Sequence, residues 1–300
     1  MSPVGACPVC GSTKRSLRFR ARDRHYGVPG EWDLRRCDGC TLCFLDPMPT
    51  PEYLGTLYPD DYYSFVHEAP TEGPKARWRK RLLPVRTGDP VFARPGSMVD
   101  VGCGNGWVVE DYRRNGWDAC GVEYSAAGTA NGRSRGLDIR EGSLHDAAFP
   151  DEMFDFVRLN HSFEHMTNPS EVVSEAVRIL KPGGRLFIGV PDGDGLTARV
   201  FKDNWYYVGA PVHPFTWSRT TLPRFLEDHG LRVDSVRGNS DYGGTTGSLQ
   251  VWLNRRSDRR SDAGILSGRL RLPAIVIGFW ISKLLDRIGR GDCVEVVCVK

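Results

Sequence analysis

Residues 99–107 read VDVGCGNGW and decide the fold of this sequence. A short apolar strand leads directly into three closely spaced glycines, and a helix-like segment follows them. Glycine is needed where the backbone turns sharply or where a ligand must approach with no Cβ in the way. In open α/β sheets, ligands bind at the carboxyl ends of strands, which is where this loop would lie. The stretch therefore predicts a strand, a ligand-binding loop and a helix at the start of an α/β domain.

The chain around this loop alternates between strand-like and helix-like segments. Short apolar segments predict strands at residues 97–101, 118–123, 138–141, 154–160 and 185–190. Apolar positions at helical spacing predict helices at residues 107–115, 125–135 and 169–180. The tail predicts helices at residues 219–229 and 270–288, and strands at residues 231–237 and 292–299. Strands that alternate with helices imply a mostly parallel sheet.

The spacing of the glycines distinguishes this loop from a dinucleotide-binding loop. An NAD-binding loop would read G-x-G-x-x-G, whereas this one reads G-x-G-x-G with Asp100 two positions before the first glycine. Glu123 ends the second predicted strand, where a carboxylate can accept hydrogen bonds from both hydroxyls of a ribose. The alternatives are an NAD site and a glycine turn that binds no ligand.

Two further motifs follow in the chain. FEHM stands at residues 163–166 after the fourth predicted strand, and LKPGG stands at residues 180–184 before the fifth. With four motifs in this order, residues 97–240 resemble the class I methyltransferases that depend on S-adenosylmethionine (SAM), and especially their ubiquinone-methyltransferase-like branch. The resemblance implies SAM as cofactor. It also implies an α/β fold with a Rossmann-like, seven-stranded, mostly parallel sheet that carries helices on both faces.

The resemblance also assigns roles to residues at the strand ends. The acidic residue and the glycines of the loop would surround the methionine part of SAM, and the glutamate after the second strand would hold the ribose. Ser143 and Leu144 would flank the adenine, although many relatives have an aspartate in place of Ser143. Asn160 and His161 would face the reacting methyl group. The implied cofactor-binding residues are Asp100, Gly102, Gly104, Gly106, Glu123, Ser143, Leu144 and Asn160.

Two CxxC pairs stand near the start of the chain, among nine cysteines in all. Two such pairs can supply four thiolates to a tetrahedral Zn²⁺, and Gly11 and Gly39 suit the tight turns that they need. A segment this short can hardly form its own core without a metal. Four thiolates would leave no open position on the metal, so we expect a structural site. Cys43 is an alternative ligand. The expected ligands are Cys7, Cys10, Cys37 and Cys40.

Composition divides the chain into three parts. We expect a small zinc-ribbon-like module over residues 1–46, a linker with a helix near residues 74–83 over residues 47–95, and the SAM-binding domain over residues 96–300. Residues 241–290 would be an insertion with an apolar helix. That helix is too interrupted to span a bilayer. We expect it to pack on the core or to form a homodimer face rather than to contact a membrane.

Four side chains are candidates for the chemistry: His161, Glu164, His165 and His213. Methyl transfer requires alignment of the reactants, and it requires a base when the acceptor is a hydroxyl. His165 and His213 are candidate bases because an imidazole titrates near neutral pH. The resemblance places His213 in the loop that covers the substrate. The alternatives are that residues 161–165 bind a divalent metal, as in some ubiquinone-type O-methyltransferases, or that Glu164 and His165 only hold the loop. Residues 161–165 also read H-x-x-E-H, a zinc-protease motif. That motif must lie on a helix, whereas here it follows a predicted strand and precedes Asn168-Pro169.

Composition and charge narrow the expected partners. The hydrophobic fraction of 40% is that of a globular protein, and a net charge of +3 is too small to imply nucleic acid. The first residues lack an apolar run, so we expect no signal peptide and a cytoplasmic protein. We expect a small-molecule acceptor, such as a secondary metabolite or a sugar, methylated on oxygen in preference to nitrogen or carbon. The alternatives are an RNA methyltransferase guided by the zinc module and a non-enzymatic zinc-ribbon binding protein.

Overall fold

The computed structural model describes residues 1–25, 27–57, 82–84, 88–256 and 270–300. The strands are β1 (Arg15–Ala21), β2 (Trp32–Cys37), β3 (Cys43–Leu45), β4 (Ser97–Val101), β5 (Asp118–Glu123), β6 (Ile139–Glu141), β7 (Phe154–Asn160), β8 (Leu180–Pro191), β9 (Phe215–Thr216), β10 (Arg232–Gly238) and β11 (Cys293–Val299). The α-helices are α1 (Pro51–Gly55), α2 (Trp107–Arg114), α3 (Ala126–Ser134), α4 (Pro169–Ile179), α5 (Leu196–Phe201), α6 (Thr221–Asp228), α7 (Ser248–Leu253) and α8 (Arg271–Arg287). Most of the helix predicted near residues 74–83 lies outside the described residues.

The larger sheet has seven strands in the order β10-β11-β8-β7-β4-β5-β6. Each neighbouring pair from β8 to β6 is parallel. The strand β11 runs antiparallel to both of its neighbours, β8 and β10. The predicted seven-stranded, mostly parallel sheet is therefore confirmed.

Helices cover both faces of this sheet because successive strand residues point to opposite sides. On one face, Val99 of β4 is buried with Val173 of α4. On the other face, the neighbouring Met98 is buried with Val109 of α2. A strand covered on both faces reads as an unbroken apolar run. This explains why residues 97–101 carry the strand signal so clearly.

The strand β8 begins earlier than the predicted strand at residues 185–190. Leu180 pairs with Phe154 of β7, and the Gly183 N–H donates to the carbonyl of Lys300 at 3.1 Å. The LKPGG turn is thus held at the edge of the sheet by the last residue of the chain. A partner so distant in sequence leaves no local periodic signal.

The smaller sheet has four strands in the order β1-β2-β3-β9. Phe44 of β3 pairs with Phe215 of β9, which follows β8 in the chain. Both rings are buried in the main core together with Trp217 and Phe163. The N-terminal sheet therefore packs on the segment that follows β7. The domain boundaries at residues 46 and 95 remain predictions.

The segment between β10 and β11 carries a π-helix (Gly243–Gly247), α7 and α8. The helix α8 agrees with the predicted helix over residues 270–288. One side of it is buried at Gly278, Phe279, Ser282 and Leu285, as expected for a helix that packs on the core. Among the described residues, no helix combines the length and the apolar character needed to cross a membrane.

Candidate functional site

The loop between β4 and α2 depends on its three glycines. Gly102, Gly104 and Gly106 have φ values of 75°, 56° and 78°, in the left-handed region that residues with a Cβ rarely adopt. A Cβ on Gly102 would also lie only 2.5 Å from the Cβ of Ser162. The Ser162 hydroxyl donates to the carbonyl of Val101 at 2.7 Å. The glycine loop therefore lies directly against the residues that follow β7.

Glu123, at the end of β5, joins this loop to α3. Its Oε2 accepts a hydrogen bond from the Gly104 N–H at 2.7 Å, and its Oε1 accepts one from the Ser125 N–H at 2.8 Å. Burial raises the pKa of the Glu123 carboxyl, and these two N–H groups oppose the rise. Each carboxylate oxygen has a second lone pair. The side chain can therefore hold the loop and still accept hydroxyl groups.

Asp100 belongs to a buried network of charges. The Arg158 guanidinium donates to Asp100 through Nη1 at 2.9 Å and to Asp89 through Nε at 2.9 Å. The Tyr112 hydroxyl donates to Asp89 at 2.9 Å. Burial raises the pKa of Asp100, and the charge of Arg158 opposes the rise. Sequence reasoning missed Arg158 and Asp89. The available signal was an arginine inside the otherwise apolar end of β7.

A cleft of about 380 Å³ lies beside α2. Its lining includes Trp107, Tyr112, Trp117 and Arg158. Trp117 directly precedes β5, so the cleft extends toward the amino ends of the strands. The glycine loop lies at the opposite edge, and the residues predicted to bind the cofactor do not line the cleft. This cleft is therefore not the predicted cofactor site, which the sequence places at the carboxyl edge of the sheet.

The other predicted cofactor residues follow β6 or end β7, at the same edge as the glycine loop. The Ser143 hydroxyl donates to Asp146 at 2.6 Å. Leu144 is buried in the main core. The amide oxygen of Asn160 lies close to Gly189 of β8. A Cβ on Gly189 would come within 2.5 Å of that oxygen. The roles of Ser143, Leu144 and Asn160 toward a cofactor remain predictions.

His161 and Glu164 form a pair directly after β7. His161 has a φ of 52°, a strained conformation for a residue with a Cβ and one that clusters at functional sites. Its Nδ1 lies 3.2 Å from Oε1 of Glu164. The buried Oε2 of Glu164 has no hydrogen-bond partner among the described residues. A buried polar atom in this state is suited to receive a donor from a ligand.

The charge of Glu164 follows from its neighbours. Burial alone would raise the pKa of its carboxyl. The hydrogen bond and the charge of His161, together with the charges of His165 and His213, outweigh burial and lower that pKa to about 2. Glu164 is therefore an anion at neutral pH.

Backbone carbonyls hold the rings of His165 and His213. Nδ1 of His165 lies 2.8 Å from the Val212 carbonyl, and Nδ1 of His213 lies 3.1 Å from the Tyr207 carbonyl. A ring nitrogen that faces a carbonyl oxygen carries the proton, so Nε2 carries the lone pair in the neutral ring. The two rings meet edge to face, with centroids 4.6 Å apart. Burial, and then the nearby charge of His165, lower the pKa of His213 to about 3.

Glu164, His165 and His213 form a group that we call the histidine cluster. One carboxylate oxygen and one nitrogen of each ring lie within 4.8 Å of one another. His161 joins the cluster through Glu164. The structure thus brings the four candidate catalytic residues together from two separate loops. Gly209 makes this possible, because a Cβ there would overlap the His213 ring.

The four predicted zinc ligands also come together. The Sγ atoms of Cys7 and Cys40 are 3.7 Å apart, those of Cys10 and Cys37 are 3.5 Å apart, and all four lie within 4.8 Å of one another. A tetrahedral zinc site with Zn–S bonds of about 2.3 Å places its sulfurs about 3.8 Å apart. The four thiols are free and fit this donor set. The alternative ligand Cys43 lies outside the cluster and accepts a hydrogen bond from Arg18 at 3.0 Å.

The two CxxC turns share one backbone pattern. In each, the N–H of the fifth residue donates to the carbonyl of the first cysteine, at 2.9 Å for Gly11 and 3.0 Å for Thr41. Gly11 has a φ of 72°, but its counterpart in the second turn is Thr41, with a φ of 68°, and not Gly39. Gly39 serves close packing instead, because a Cβ there would lie 3.3 Å from the sulfur of Cys10.

Comparison with known proteins shows which family the chain belongs to. The sequence profile of the methyltransferase domain family matches residues 65–236. The 27-O-demethylrifamycin SV methyltransferase of Amycolatopsis mediterranei is 32% identical over 201 residues, which cover 62% of this chain and 68% of that protein. An uncharacterized 37.1 kDa protein in transposon TN4556 of Streptomyces fradiae is 31% identical over 240 residues, which cover 75% of this chain and 66% of that protein.

Among solved structures, the cyclase SpnF has this fold, with a TM-score of 0.50 and 17% identity over 84% of this chain and 97% of that chain. Because the family profile matches more than half of the chain, the protein belongs to the methyltransferase domain family. The resemblance to class I SAM-dependent methyltransferases is thereby confirmed. The chain spans about half to two thirds of the length of the first curated relatives it matches.

Proposed function

We propose that the protein transfers a methyl group from SAM to an oxygen atom of a small-molecule acceptor. The observation that carries this proposal is the position of the histidine cluster beside the glycine loop. Ser162 packs against Gly102, and Glu164 and His165 follow it within one short turn. A cofactor at the loop and an acceptor at the cluster would therefore meet at one edge of the sheet. The rifamycin relative, by its name, also methylates a small molecule.

The carboxyl edge of the sheet fits SAM. The glycines leave the backbone of the loop open to close approach, and Glu123 has lone pairs available for the ribose hydroxyls. Asp100 holds the strand before the loop through Arg158, and Asn160 faces the methyl end. Bound SAM supplies a methyl group on a positively charged sulfur. Every other requirement falls on the chain, which must align the acceptor oxygen and remove its proton.

The histidine cluster suits removal of that proton. Nε2 of His165 carries the lone pair, so it accepts the proton of the acceptor hydroxyl as the new C–O bond forms. The sulfonium of bound SAM would supply the methyl group and would keep the electrons of the broken S–C bond, so the transfer needs no oxidant or reductant. Glu164, held in its charged form, stabilises the protonated ring. His213 stays neutral at pH 7 because its pKa is about 3, so it orients the hydroxyl as a hydrogen-bond acceptor.

We also propose that Cys7, Cys10, Cys37 and Cys40 hold a structural Zn²⁺. The sulfur spacing supports this, and so does the matched backbone of the two turns. Four thiolates complete a tetrahedral shell, so this site would order the N-terminal sheet and take no part in the chemistry.

The acceptor class can be tested directly. The full-length, zinc-loaded protein is incubated with SAM and a panel of hydroxylated small molecules, and S-adenosylhomocysteine is measured by mass spectrometry. We expect turnover with a hydroxyl acceptor, a loss of at least about 100-fold for His165→Gln, and unchanged SAM binding. His229→Gln is the control, because that ring bonds to the Phe225 carbonyl on α6, outside the cluster. Methylation of nitrogen, carbon or RNA alone would contradict the proposal.

A further inference from the structure

Exposed apolar side chains concentrate on one surface of the protein. Most of the large apolar side chains that are exposed among the described residues lie in or beside α5, α7 and α8. We call the large exposed apolar side chains in or beside α5, α7 and α8 the apolar face. Single exposed apolar residues are ordinary, whereas a concentrated patch marks a site of interaction. None of the residues that we assign to the methyl-transfer chemistry belongs to this face.

The helix α8 contributes the longest part of the apolar face. Five exposed apolar side chains from residue 277 onward recur at helical spacing, so they form a single stripe along one side. They are between 46% and 62% exposed, whereas Phe279 and Leu285 on the other sides of the helix are buried. The expected packing of this helix on the core thus holds for only part of its surface. The stripe consists of Ile277, Trp280, Ile281 and Leu284 of α8 and of Ile288 directly after the helix.

The three helices that carry the apolar face meet at the π-helix Gly243–Gly247, which contacts each of them. Two threonines of this π-helix fix α8 in place. The Thr245 hydroxyl donates to the Gly278 carbonyl at 2.9 Å, and the Thr246 hydroxyl donates to the Ala274 carbonyl at 2.8 Å. The apolar stripe of α8 is therefore held on the folded protein and does not depend on a partner to form.

The exposed charges of α8 and of the residues just after it are basic. Arg271, Arg287 and Arg290 are exposed at the two ends of α8. The one acidic residue in α8 is Asp286, which is turned inward. Its side chain is 8% exposed and accepts hydrogen bonds from the N–H and the hydroxyl of Ser240, at 2.9 and 2.6 Å. The exposed surface of α8 is therefore an apolar stripe with arginines at its two ends.

We propose that the apolar face docks on an anionic lipid surface, with α8 lying in the plane of the interface. A helix with Ile, Leu and Trp on one side and basic residues at its border binds in this way. Each basic residue near an anionic surface adds to the attraction. A second copy of the chain fits less well. A symmetric contact would bring the same arginine-bordered helices together, with no exposed acid on α8 to pair with them.

Sedimentation with lipid vesicles tests this docking. The full-length, zinc-loaded protein is mixed with vesicles of phosphatidylcholine alone, or of phosphatidylcholine with about one third phosphatidylglycerol. We expect it to pellet with the anionic vesicles, to bind the neutral ones at least about fivefold more weakly, and to be released by salt. Leu284→Glu should weaken binding at least about tenfold. Arg287→Glu should weaken binding to anionic vesicles alone.

Leu17→Glu is the matched control, since Leu17 is 47% exposed but lies on β1 in the N-terminal sheet. It should bind vesicles as the unchanged protein does. Circular dichroism confirms that each variant is folded. Two results would contradict docking on lipid. The folded protein would fail to bind anionic vesicles, or Leu17→Glu and Leu284→Glu would reduce vesicle binding by the same factor. A dimer in sedimentation equilibrium that Leu284→Glu disrupts, without vesicle binding, would instead assign the apolar face to a second copy. These readouts need no catalysis and are independent of the proposed methyl transfer.

Discussion

The guanidinium of Arg158 on β7 lies 2.9 Å from the carboxylate of Asp100 on the neighbouring strand β4. The same guanidinium lies 2.9 Å from Asp89, so one buried acid and one partly buried acid share a single buried cation. A charge remains buried only when it is paired. Because β4 leads into the glycine loop and β7 leads into the histidine cluster, this ion pair ties together the two strands on which the proposed site depends.

The first prediction concerns this network. Arg158→Met should lower the free energy of unfolding by about 3–5 kcal/mol, because it leaves the buried carboxylate of Asp100 without a cation. Urea denaturation measures the loss. Arg232→Met is the control, since Arg232 is exposed and lies 3.9 Å from an exposed Asp234. That change should cost less than about 1 kcal/mol. Equal losses for the two variants would show that the buried network does not stabilise the fold.

The second prediction concerns the contact between Gly102 and Ser162. Gly102→Ala would place a Cβ 2.5 Å from the Cβ of Ser162 in a backbone with a φ of 75°. Gly136→Ala is a matched control, because Gly136 has a φ of 78° but no atom within 4 Å of the added Cβ. Each substitution should lower the free energy of unfolding by about 1 kcal/mol through backbone strain. Only Gly102→Ala should also weaken SAM binding, measured by calorimetry, by at least about tenfold. Equal SAM affinities in the two variants would contradict this placement of the loop.

The sequence predicted most of the sheet but only part of the site. Local patterns, such as the apolar run and glycines of residues 97–106, are enough to place strands and loops. The ion pair of Arg158 with Asp89 depends on contacts between distant segments, which no local periodicity reports. The same is true of β9, whose pairing with β3 joins the N-terminal sheet to the main core. The positive φ of Thr41 was missed because glycine is the residue usually expected in that conformation.

The third prediction concerns pH. Burial and the neighbouring His165 lower the pKa of His213 from 6.5 to about 3, so the unfolded chain binds a proton that the folded protein excludes. The contribution of His213 to stability is therefore complete above pH 6.5 and is lost progressively as the pH falls toward 3. Between pH 7 and 5 the loss amounts to about 2 kcal/mol. Urea denaturation of His213→Gln should show a pH dependence smaller by about that amount. His145→Gln changes an exposed histidine and should keep the original pH dependence. If His213→Gln also keeps it, the half-buried His213 does not have a lowered pKa in the folded protein.

The fourth prediction concerns zinc. Cys10→Ala removes one of four clustered thiols, so the purified protein should lose its bound zinc, measured by mass spectrometry of the metal. Thermal unfolding should occur several degrees lower, because metal binding and folding of so small a module are linked. Cys43→Ala is the control, since Cys43 is buried but lies outside the cluster. It should retain one zinc ion per chain. Zinc retained by Cys10→Ala and lost by Cys43→Ala would assign the site to a different set of thiols.

Calorimetric titration with SAM tests the central claim most directly. The zinc-loaded protein should bind SAM with micromolar affinity, and Glu123→Ala should bind at least about tenfold more weakly, because it removes both the ribose acceptor and the bond to Gly104. Asp118→Ala changes an exposed acid at the other end of the same strand and should bind SAM normally. If the folded protein fails to bind SAM, or if Glu123→Ala binds it as tightly as the unchanged chain does, the cofactor site does not lie at this edge of the sheet.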